Sequence, residues 1–267
     1  MLSVKQIYTH SPLRNYTYLV YSDRSGEAIC IDPFSVEPIY SFLKKNSLRL
    51  KFILNTHEHK DHVAGNLELK EITKARILAH PATLGNIPGL DDVIPDGEIV
   101  FSSENETLEA YETPGHTFCH HCFLLKTAKK PTKIFTGDTL FQAGVGNCYR
   151  GGDPKTLYHT LQSKIRILPP EIEIYPGHDY IENNLKFALE IEPTNEDLLS
   201  LAHWIQKNHS ETNPFQSNLK HETQINPYFR LHEILKNSPL FFASMNESVP
   251  KTEENLFLFL RSVRDKW

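Results

Sequence analysis

The chain has 267 residues, of which 39% are hydrophobic and 23% charged, and a formal net charge of −5 at pH 7; it is long enough to bury a sizeable core as an ordinary soluble globular protein. The negative charge argues against a nucleic-acid partner. The chain has no apolar run of membrane-spanning length and no N-terminal signal segment, so we expect a cytoplasmic protein without a membrane partner.

The first informative segment follows a predicted strand. Residues 51–55, KFILN, are apolar and β-rich, and residues 67–72, LELKEI, are typical of a helix. Between them the sequence THEHKDH supplies His57, His59, Asp61 and His62. Imidazole and carboxylate are the ligands of zinc, iron and manganese. The sequence therefore predicts a metal site at the carboxyl end of a strand, where open α/β sheets usually place their chemistry.

The same pattern occurs three more times along the chain. A strand-like run ends at a Gly or a Pro-Gly, and a candidate ligand follows directly: His116, Asp138 and His178. Gly and Pro end a strand and allow the chain to turn the next side chain toward a shared point. Together with the first segment this gives more ligands than one zinc takes, whereas two metals can share a bridging carboxylate. We expect a binuclear site that carries out hydrolysis.

Four cysteines in a chain of this length predict free thiols and no disulfide framework. They are Cys30, Cys119, Cys122 and Cys148. The segment CHHC at residues 119–122 is typical of a zinc or redox element, but if it enters a strand, residues three apart face opposite sides and cannot chelate one ion. We predict a structural role for these thiols. Two roles stay open for His120 and His121: they support the metal ligands, or they are ordinary polar residues of a strand.

Beyond His178 the strand pattern stops and helices are predicted. Residues 183–191 form the first helical run. A second run begins after Thr194 as N-cap, and a third lies near the C-terminus. Each of these two has an apolar stripe of helical period, Leu198, Leu201, Ala202 and Ile205 in one and Leu256, Phe259, Leu260 and Val263 in the other. Residues 208–227 are polar and contain proline, which predicts a long loop.

The motifs THEHKDH at residues 56–62, TPGHT at 113–117, GDTLF at 137–141 and GHDY at 177–180 resemble those of the metallo-β-lactamase superfamily. Within it the chain is most similar to the hydroxyacylglutathione hydrolases, also called glyoxalase II, because YIENNLKFA at 180–188 and NPYFR at 226–230 match that family as well. The resemblance covers nearly the whole chain. It implies an α/β fold, the αββα sandwich, over residues 1–178 and a smaller helical substrate-binding domain over 179–267.

The resemblance also implies the site residues and the reaction. One metal is held by His57, His59 and His116, the other by Asp61, His62 and His178, and Asp138 bridges them, with Asp61 and Asp138 as the catalytic carboxylates. Two divalent ions are expected, zinc first, with iron and manganese also compatible. The implied reaction is hydrolysis of S-D-lactoylglutathione to D-lactate and glutathione, the second step of methylglyoxal detoxification, by a monomer.

On the substrate side the match to the family is incomplete. The family's Gly-Lys-aromatic-Tyr element, the tyrosine after its last histidine and its basic C-terminal residues are matched here by Tyr149, Tyr180 and Arg230, but the lysine position holds Asn147. Loss of a cation that pairs with a glutathione carboxylate costs on the order of 1–3 kcal/mol of binding. Arg150 and Lys155 are nearby candidates to replace it.

Three alternatives stay open at this point. The first is a persulfide dioxygenase with a single iron, a related family that lacks so long a helical domain. The second is a lactamase-like or phosphodiesterase hydrolase, which residues 226–230 disfavour. The third is a non-catalytic metal-dependent binding module, which the intact ligand set disfavours.

Overall fold

The computed structural model describes residues 1–237 and 251–267. Its first sheet has six strands in the order β1 to β6. β1 pairs antiparallel with β2, and β2 pairs antiparallel with β3. The three neighbouring pairs from β3 to β6 are parallel. The strands are β1 Ser3–Tyr8, β2 Tyr16–Ser22, β3 Glu27–Ile31, β4 Arg49–Leu54, β5 Arg76–Ala79 and β6 Asp92–Val93.

The second sheet also has six strands, in the order β14-β13-β10-β9-β8-β7. Only β10 and β13 run parallel. A short hairpin, β11 with β12, stands apart from both sheets. The strands are β7 Ile99–Ser103, β8 Glu106–Glu112, β9 His121–Thr127, β10 Lys130–Gly137, β11 Leu140–Phe141, β12 Gly144–Val145, β13 Glu173–Pro176 and β14 Ser217–Asn218.

Helices pack on the outer faces of the two sheets and form the C-terminal helical region. They are α1 Val36–Lys45, α2 Lys60–Val63, α3 Asn66–Thr73, α4 Pro154–Thr160, α5 Ile181–Ile191, α6 Glu196–Asn208, α7 Leu219–Ile225, α8 Leu231–Asn237 and α9 Glu253–Arg264. A 3-10 turn at Pro81–Thr83 and a π-helical turn at Leu161–Ile165 complete the set in the described ranges. Among these helices none is long and apolar enough to cross a membrane.

Three packed layers of side chains hold the sandwich together. Ile39 of α1 and Leu69 of α3 pack on Ile53 of β4, on the outer face of the first sheet. The adjacent residue, Leu54, faces inward to a core that both sheets share, where it meets side chains such as Phe123 of β9. Because the carboxyl end of β4 is covered on both faces, its residues 52–54 are all apolar. The predicted αββα sandwich is confirmed.

A third core cluster joins the second sheet to the C-terminal helical region. Leu124 of β9 and Leu157 of α4 pack there with Phe257 and Leu260 of α9. The expected chain of helices after His178 is confirmed, although residues 238–250 of the predicted helical domain lie outside the described residues.

Two details of the helical region differ from the sequence prediction. Asn195, and not Thr194, is the N-cap of α6, since its side-chain oxygen accepts from the backbone N–H of Asp197 at 3.0 Å and of Leu198 at 3.2 Å. The predicted long loop over residues 208–227 is wrong in part, because it contains β14 and α7. β14 is too short for its period to be visible in sequence, and it forms by pairing with β13.

Candidate metal centre

The seven predicted ligands meet at one edge of the sandwich. His57 and His59 follow β4, and Asp61 and His62 lie on α2 directly after them. The other three follow β8, β10 and β13 as predicted: they are His116, Asp138 and His178. We call these seven residues the ligand cluster.

The first ligand set is formed by three histidines and one oxygen of Asp138. His59 Nδ1 lies 3.0 Å from His57 Nε2 and 3.0 Å from His116 Nε2. Asp138 Oδ2 lies 3.5 Å from His116 Nε2.

The second ligand set uses the other oxygen of Asp138. His62 Nε2 and His178 Nε2 are 3.2 Å apart, and each lies 3.4 Å from Asp61 Oδ2. Asp138 Oδ1 lies 3.4 Å from His62 Nε2 and 3.3 Å from His178 Nε2. The two oxygens of Asp138 therefore face different sets.

These spacings fit two metal ions. Ligands about 2.1 Å from a tetrahedral ion are separated by about 3.4 Å, which is close to the observed distances. Asp138 Oδ1 is buried without a hydrogen-bond partner in the described structure, and a cation would satisfy it. Among the described residues, the groups able to hold a metal ion contain no cysteine. The segment 119–122 therefore adds no metal ligand.

The outward nitrogen of each ligand histidine is also bonded. This fixes the ring orientation and leaves the inward nitrogen as a lone-pair donor. The partners are Thr56 Oγ1 for His57 at 2.9 Å, the Arg150 carbonyl for His59 at 3.0 Å, Asp32 Oδ2 for His62 at 2.8 Å, the Asn147 carbonyl for His116 at 2.5 Å and the Leu13 carbonyl for His178 at 2.7 Å.

The charges of the cluster favour a bound cation. Burial alone raises the pKa of Asp138, but the imidazoles of His178 and His62 hold it well below its usual range. Burial lowers the pKa of His116 to about 4, so this ring is neutral at pH 7. For His62, burial lowers the pKa, yet the Asp138 and Asp32 carboxylates outweigh it and raise the pKa to about 9. A cation entering the second set therefore displaces a proton.

Asp32 is a functional residue that the sequence analysis missed. Its carboxylate accepts from His62 Nδ1 at 2.8 Å, from the Thr56 backbone N–H at 2.8 Å and from the Thr56 hydroxyl at 2.6 Å. Asp32 directly follows β3 and precedes Pro33. The pattern of a strand followed by an acidic residue, applied one strand earlier, was the signal that could have found it.

The neighbouring histidines His120 and His121 have opposite surroundings. His120 Nε2 accepts from the Asp138 backbone N–H at 3.2 Å, and its ring stacks on His57 with centroids 5.1 Å apart. His121 points to the other side, against His80 at 4.7 Å, and neither ring nitrogen has a hydrogen-bond partner in the described structure. His120 thus supports the ligand cluster directly, whereas His121 does not.

Two glycines are needed for this close packing. Gly137 has φ of 46°, and a Cβ there would lie 2.7 Å from Thr56 Oγ1. A Cβ on Gly146 would lie 2.0 Å from the Asp138 carbonyl oxygen. Both positions require the absence of a side chain, since the atoms they meet belong to the cluster or its supports.

A cavity of about 480 Å³ opens over the ligand cluster, and a second of about 200 Å³ adjoins it. The two share Asn147, Tyr149 and Tyr180. Tyr180 stacks flat on His178, with ring centroids 4.6 Å apart, while Tyr149 is 66% exposed and its hydroxyl donates to the Asp265 carbonyl at 3.1 Å. These three predicted substrate residues therefore lie beside the metal ligands.

Arg230 lies elsewhere. Its guanidinium donates to Glu192 at 2.7 and 2.9 Å, and it lines neither cavity. The family resemblance implied that Arg230 contacts substrate. Its guanidinium instead forms a bidentate ion pair with Glu192 inside the helical region. Lys155 is likewise paired, with Glu254 at 3.0 Å, whereas Arg150 lines the larger cavity.

Arg264 of α9 is a cation that was not among the predicted substrate residues. It lines the smaller cavity, donates to Asn184 Oδ1 at 3.4 Å and lies over the Trp267 ring at 4.8 Å. In the described ranges it has no ion pair with a carboxylate, while its neighbour Arg261 is paired with Asp265 at 2.6 Å. No motif marked Arg264, because only folding brings α9 to residues 147–149. We call Asn147, Tyr149, Tyr180 and Arg264 the substrate rim.

Two family models match the chain, the metallo-beta-lactamase superfamily over residues 10–178 and the hydroxyacylglutathione hydrolase C-terminus over residues 179–267. A hydroxyacylglutathione hydrolase of Nitrosococcus oceani is 38% identical and covers 99% of both chains. A cytoplasmic hydroxyacylglutathione hydrolase of Arabidopsis thaliana is 31% identical over 81% of this chain and 84% of its own. The crystal structure of ETHE1 from Myxococcus xanthus aligns with a TM-score of 0.63 over 98% of this chain and 99% of that one; at 22% identity it shows the fold alone.

Proposed function

The chain belongs to the hydroxyacylglutathione hydrolase family of the metallo-β-lactamase superfamily, and we propose that its site hydrolyses S-D-lactoylglutathione to D-lactate and glutathione, in methylglyoxal detoxification. The observation that carries this proposal is Asp138, whose two oxygens face two separate ligand sets. Such an arrangement is suited to hydrolysis at a pair of metal ions.

The proposed cofactors are two divalent ions, zinc first. His57, His59 and His116 would hold one ion, and Asp61, His62 and His178 the other, with Asp138 between them. When bound, such a pair supplies a water that loses its proton near neutral pH and a Lewis acid that polarises the acyl carbonyl oxygen. Iron and manganese suit the same donors, so availability decides among the three.

We assign catalytic roles to Asp61 and Asp138. Burial raises the pKa of Asp61, but His62 and the hydrogen bond from Asn15 Nδ2 at 2.9 Å outweigh it and lower that pKa. Both carboxylates are therefore ionised at pH 7 and can orient a water molecule at the floor of the larger cavity through its protons. A thiolate is a good leaving group, so this chain needs no dedicated general acid for the cleavage of the thioester.

The substrate rim would bind the glutathione part. Tyr180 and Tyr149 line both cavities, and Arg264 lines the smaller one without a carboxylate partner in the described ranges. A guanidinium there can take a glutathione carboxylate and so replace the cation missing at Asn147. The rim would thus bind the glutathione part of the thioester, while the acyl group lies over the ligand cluster.

We also propose that the protein acts as a cytoplasmic monomer. One chain supplies all seven predicted ligands, so the ligand cluster is complete without a second copy. The name of the Arabidopsis relative places that protein in the cytoplasm.

The test is steady-state kinetics of the zinc-loaded protein on S-D-lactoylglutathione, beside S-lactoyl-coenzyme A and S-lactoylcysteine. We expect the largest kcat/KM for the glutathione thioester. A higher value for another thiol would contradict glutathione as the carrier but not thioester hydrolysis. One iron per chain, with oxygen uptake on glutathione persulfide and no thioesterase activity, would contradict the hydrolase itself.

A further inference from the structure

The hairpin β11–β12 lies between two parts of the metal centre. It begins two residues after Asp138 and ends two residues before Asn147. Asp138 faces both ligand sets, and the Asn147 carbonyl orients His116. Any displacement of the hairpin therefore moves the bridging carboxylate and the support of one histidine together.

Side chains of the helical region bond the backbone of this hairpin at every residue from Phe141 to Gly146. Asn184 donates to the Gln142 carbonyl at 3.0 Å, and Glu222 accepts from the Ala143 N–H at 2.9 Å. Asn226 donates to the carbonyls of Phe141 and Gly144, at 3.5 and 3.2 Å, and Arg261 to those of Val145 and Gly146, at 3.0 and 3.4 Å.

These four side chains are buried and partly linked to one another. Glu222 and Asn226 are fully buried, and Asn226 Nδ2 lies 2.8 Å from Glu222 Oε2. A Cβ on Gly144 would lie only 2.6 Å from Asn184 Nδ2, which shows how closely the two parts approach. Because a buried polar group that loses its partner pays its full desolvation cost, these bonds hold the hairpin in one position.

We propose that Asn184, Glu222, Asn226 and Arg261, the hairpin clamp, are positioning residues for the metal centre. The helical region thus serves the bridging carboxylate as well as the substrate. Asn226 opens the segment NPYFR, and neither Asn226 nor Glu222 lines either of the two cavities, whereas Asn184 and Arg261 line the smaller one. Asn226 therefore acts on the metal centre through the hairpin and not by substrate contact. The inference rests on the proposed two-metal function.

The test compares Glu222→Ala with Glu222→Gln in the zinc-loaded full-length protein. For Glu222→Ala we expect zinc extraction by a chromophoric chelator to become about tenfold faster, and kcat to fall by a similar factor with KM nearly unchanged, as is typical when a partner of the metal ligands is lost. Glu222→Gln should restore both values, because its amide oxygen still accepts from the Ala143 N–H.

Two further variants keep the test decisive. Glu192→Ala breaks an ion pair of the same helical region without touching the hairpin, and we expect unchanged zinc extraction. Gly144→Ala displaces Asn184 from the other side and should accelerate extraction even if Glu222→Ala fails to fold. A folded Glu222→Ala or Gly144→Ala protein with wild-type extraction and kcat would overturn the clamp, as would equal acceleration by Glu192→Ala. If the wild type has no thioesterase activity, the proposed function fails, but zinc extraction still tests the clamp.

Discussion

The ligand cluster and the substrate rim differ in how firmly the surrounding chain holds them. In the cluster each imidazole has its outward nitrogen bonded, in three of the five cases to a backbone carbonyl, and four of the five rings are buried. In the rim Tyr149 is 66% exposed, and Arg264 is held by one long hydrogen bond and by aromatic packing. The positions of the metal ligands are therefore fixed before substrate arrives, whereas the proposed substrate rim is a looser and more easily altered surface.

The largest effect is expected from Asp138→Ala. The substitution removes the one carboxylate shared by both ligand sets, so we expect metal content to fall below two ions per chain and turnover to drop by more than the roughly 100-fold that follows loss of an outer partner. Metal analysis and kcat on S-D-lactoylglutathione measure this. Full activity of the variant would show that the ligand cluster is no more essential to turnover than the substrate rim.

A smaller effect is expected from Asp32→Asn, which leaves every ligand in place. The amide cannot replace the charged acceptor of His62 and Thr56, so we expect a loss of about 10–100-fold in metal affinity or activity. The matched control is Glu112→Gln, which changes a carboxylate bonded to His80 at 3.1 Å, outside the cluster. Equal losses in the two variants would mean that the histidine–carboxylate pair matters for folding and not for the metals.

All seven residues of the ligand cluster could be predicted from sequence, because they follow strand ends and lie in short motifs. Asp32 shows the same pattern, since it directly follows β3. The rim could not be predicted to the same extent: Arg264 and Asn147 are far apart in sequence and meet through the packing of α9, whereas Arg230, named by its motif, pairs with Glu192. Likewise β14 exists because β13 is available to pair with it, which no local pattern encodes.

The rim is probed by Arg264→Met. If the guanidinium takes a glutathione carboxylate, its loss should raise KM about tenfold or more, with kcat nearly unchanged, since uniform binding is lost. Arg230→Met is the comparison variant, and there we expect lower stability from the broken pair with Glu192 but an unchanged KM. A raised KM for Arg230→Met with an unchanged KM for Arg264→Met would mean that Arg230, and not Arg264, contacts the glutathione part. The substrate rim as defined would then be wrong.

The smallest effect on activity is expected from His121→Leu, which tests the boundary of the ligand cluster. Burial, with His80 as a further cause, lowers the pKa of His121 to about 3, while an unfolded chain titrates near 6.5. Below pH 6.5 the unfolded state binds a proton that the folded state does not, so His121 destabilises the fold as pH falls. Leucine binds no proton in either state. The difference in unfolding free energy, variant minus wild type, should therefore increase by about 2 kcal/mol as the pH falls from 7.5 to 5.

Urea unfolding of both metal-free proteins in a chelator measures this difference, because the ligand histidines are common to both and their titration cancels. At pH 7.5 Leu should be neutral or slightly stabilising, because the two unbonded ring nitrogens are replaced by apolar atoms. The zinc content and kcat of the loaded variant should be those of wild type. If kcat fell as it does for Asp32→Asn, His121 would belong with His120 among the supports of the cluster, and the boundary between the two faces of β9 would be wrong.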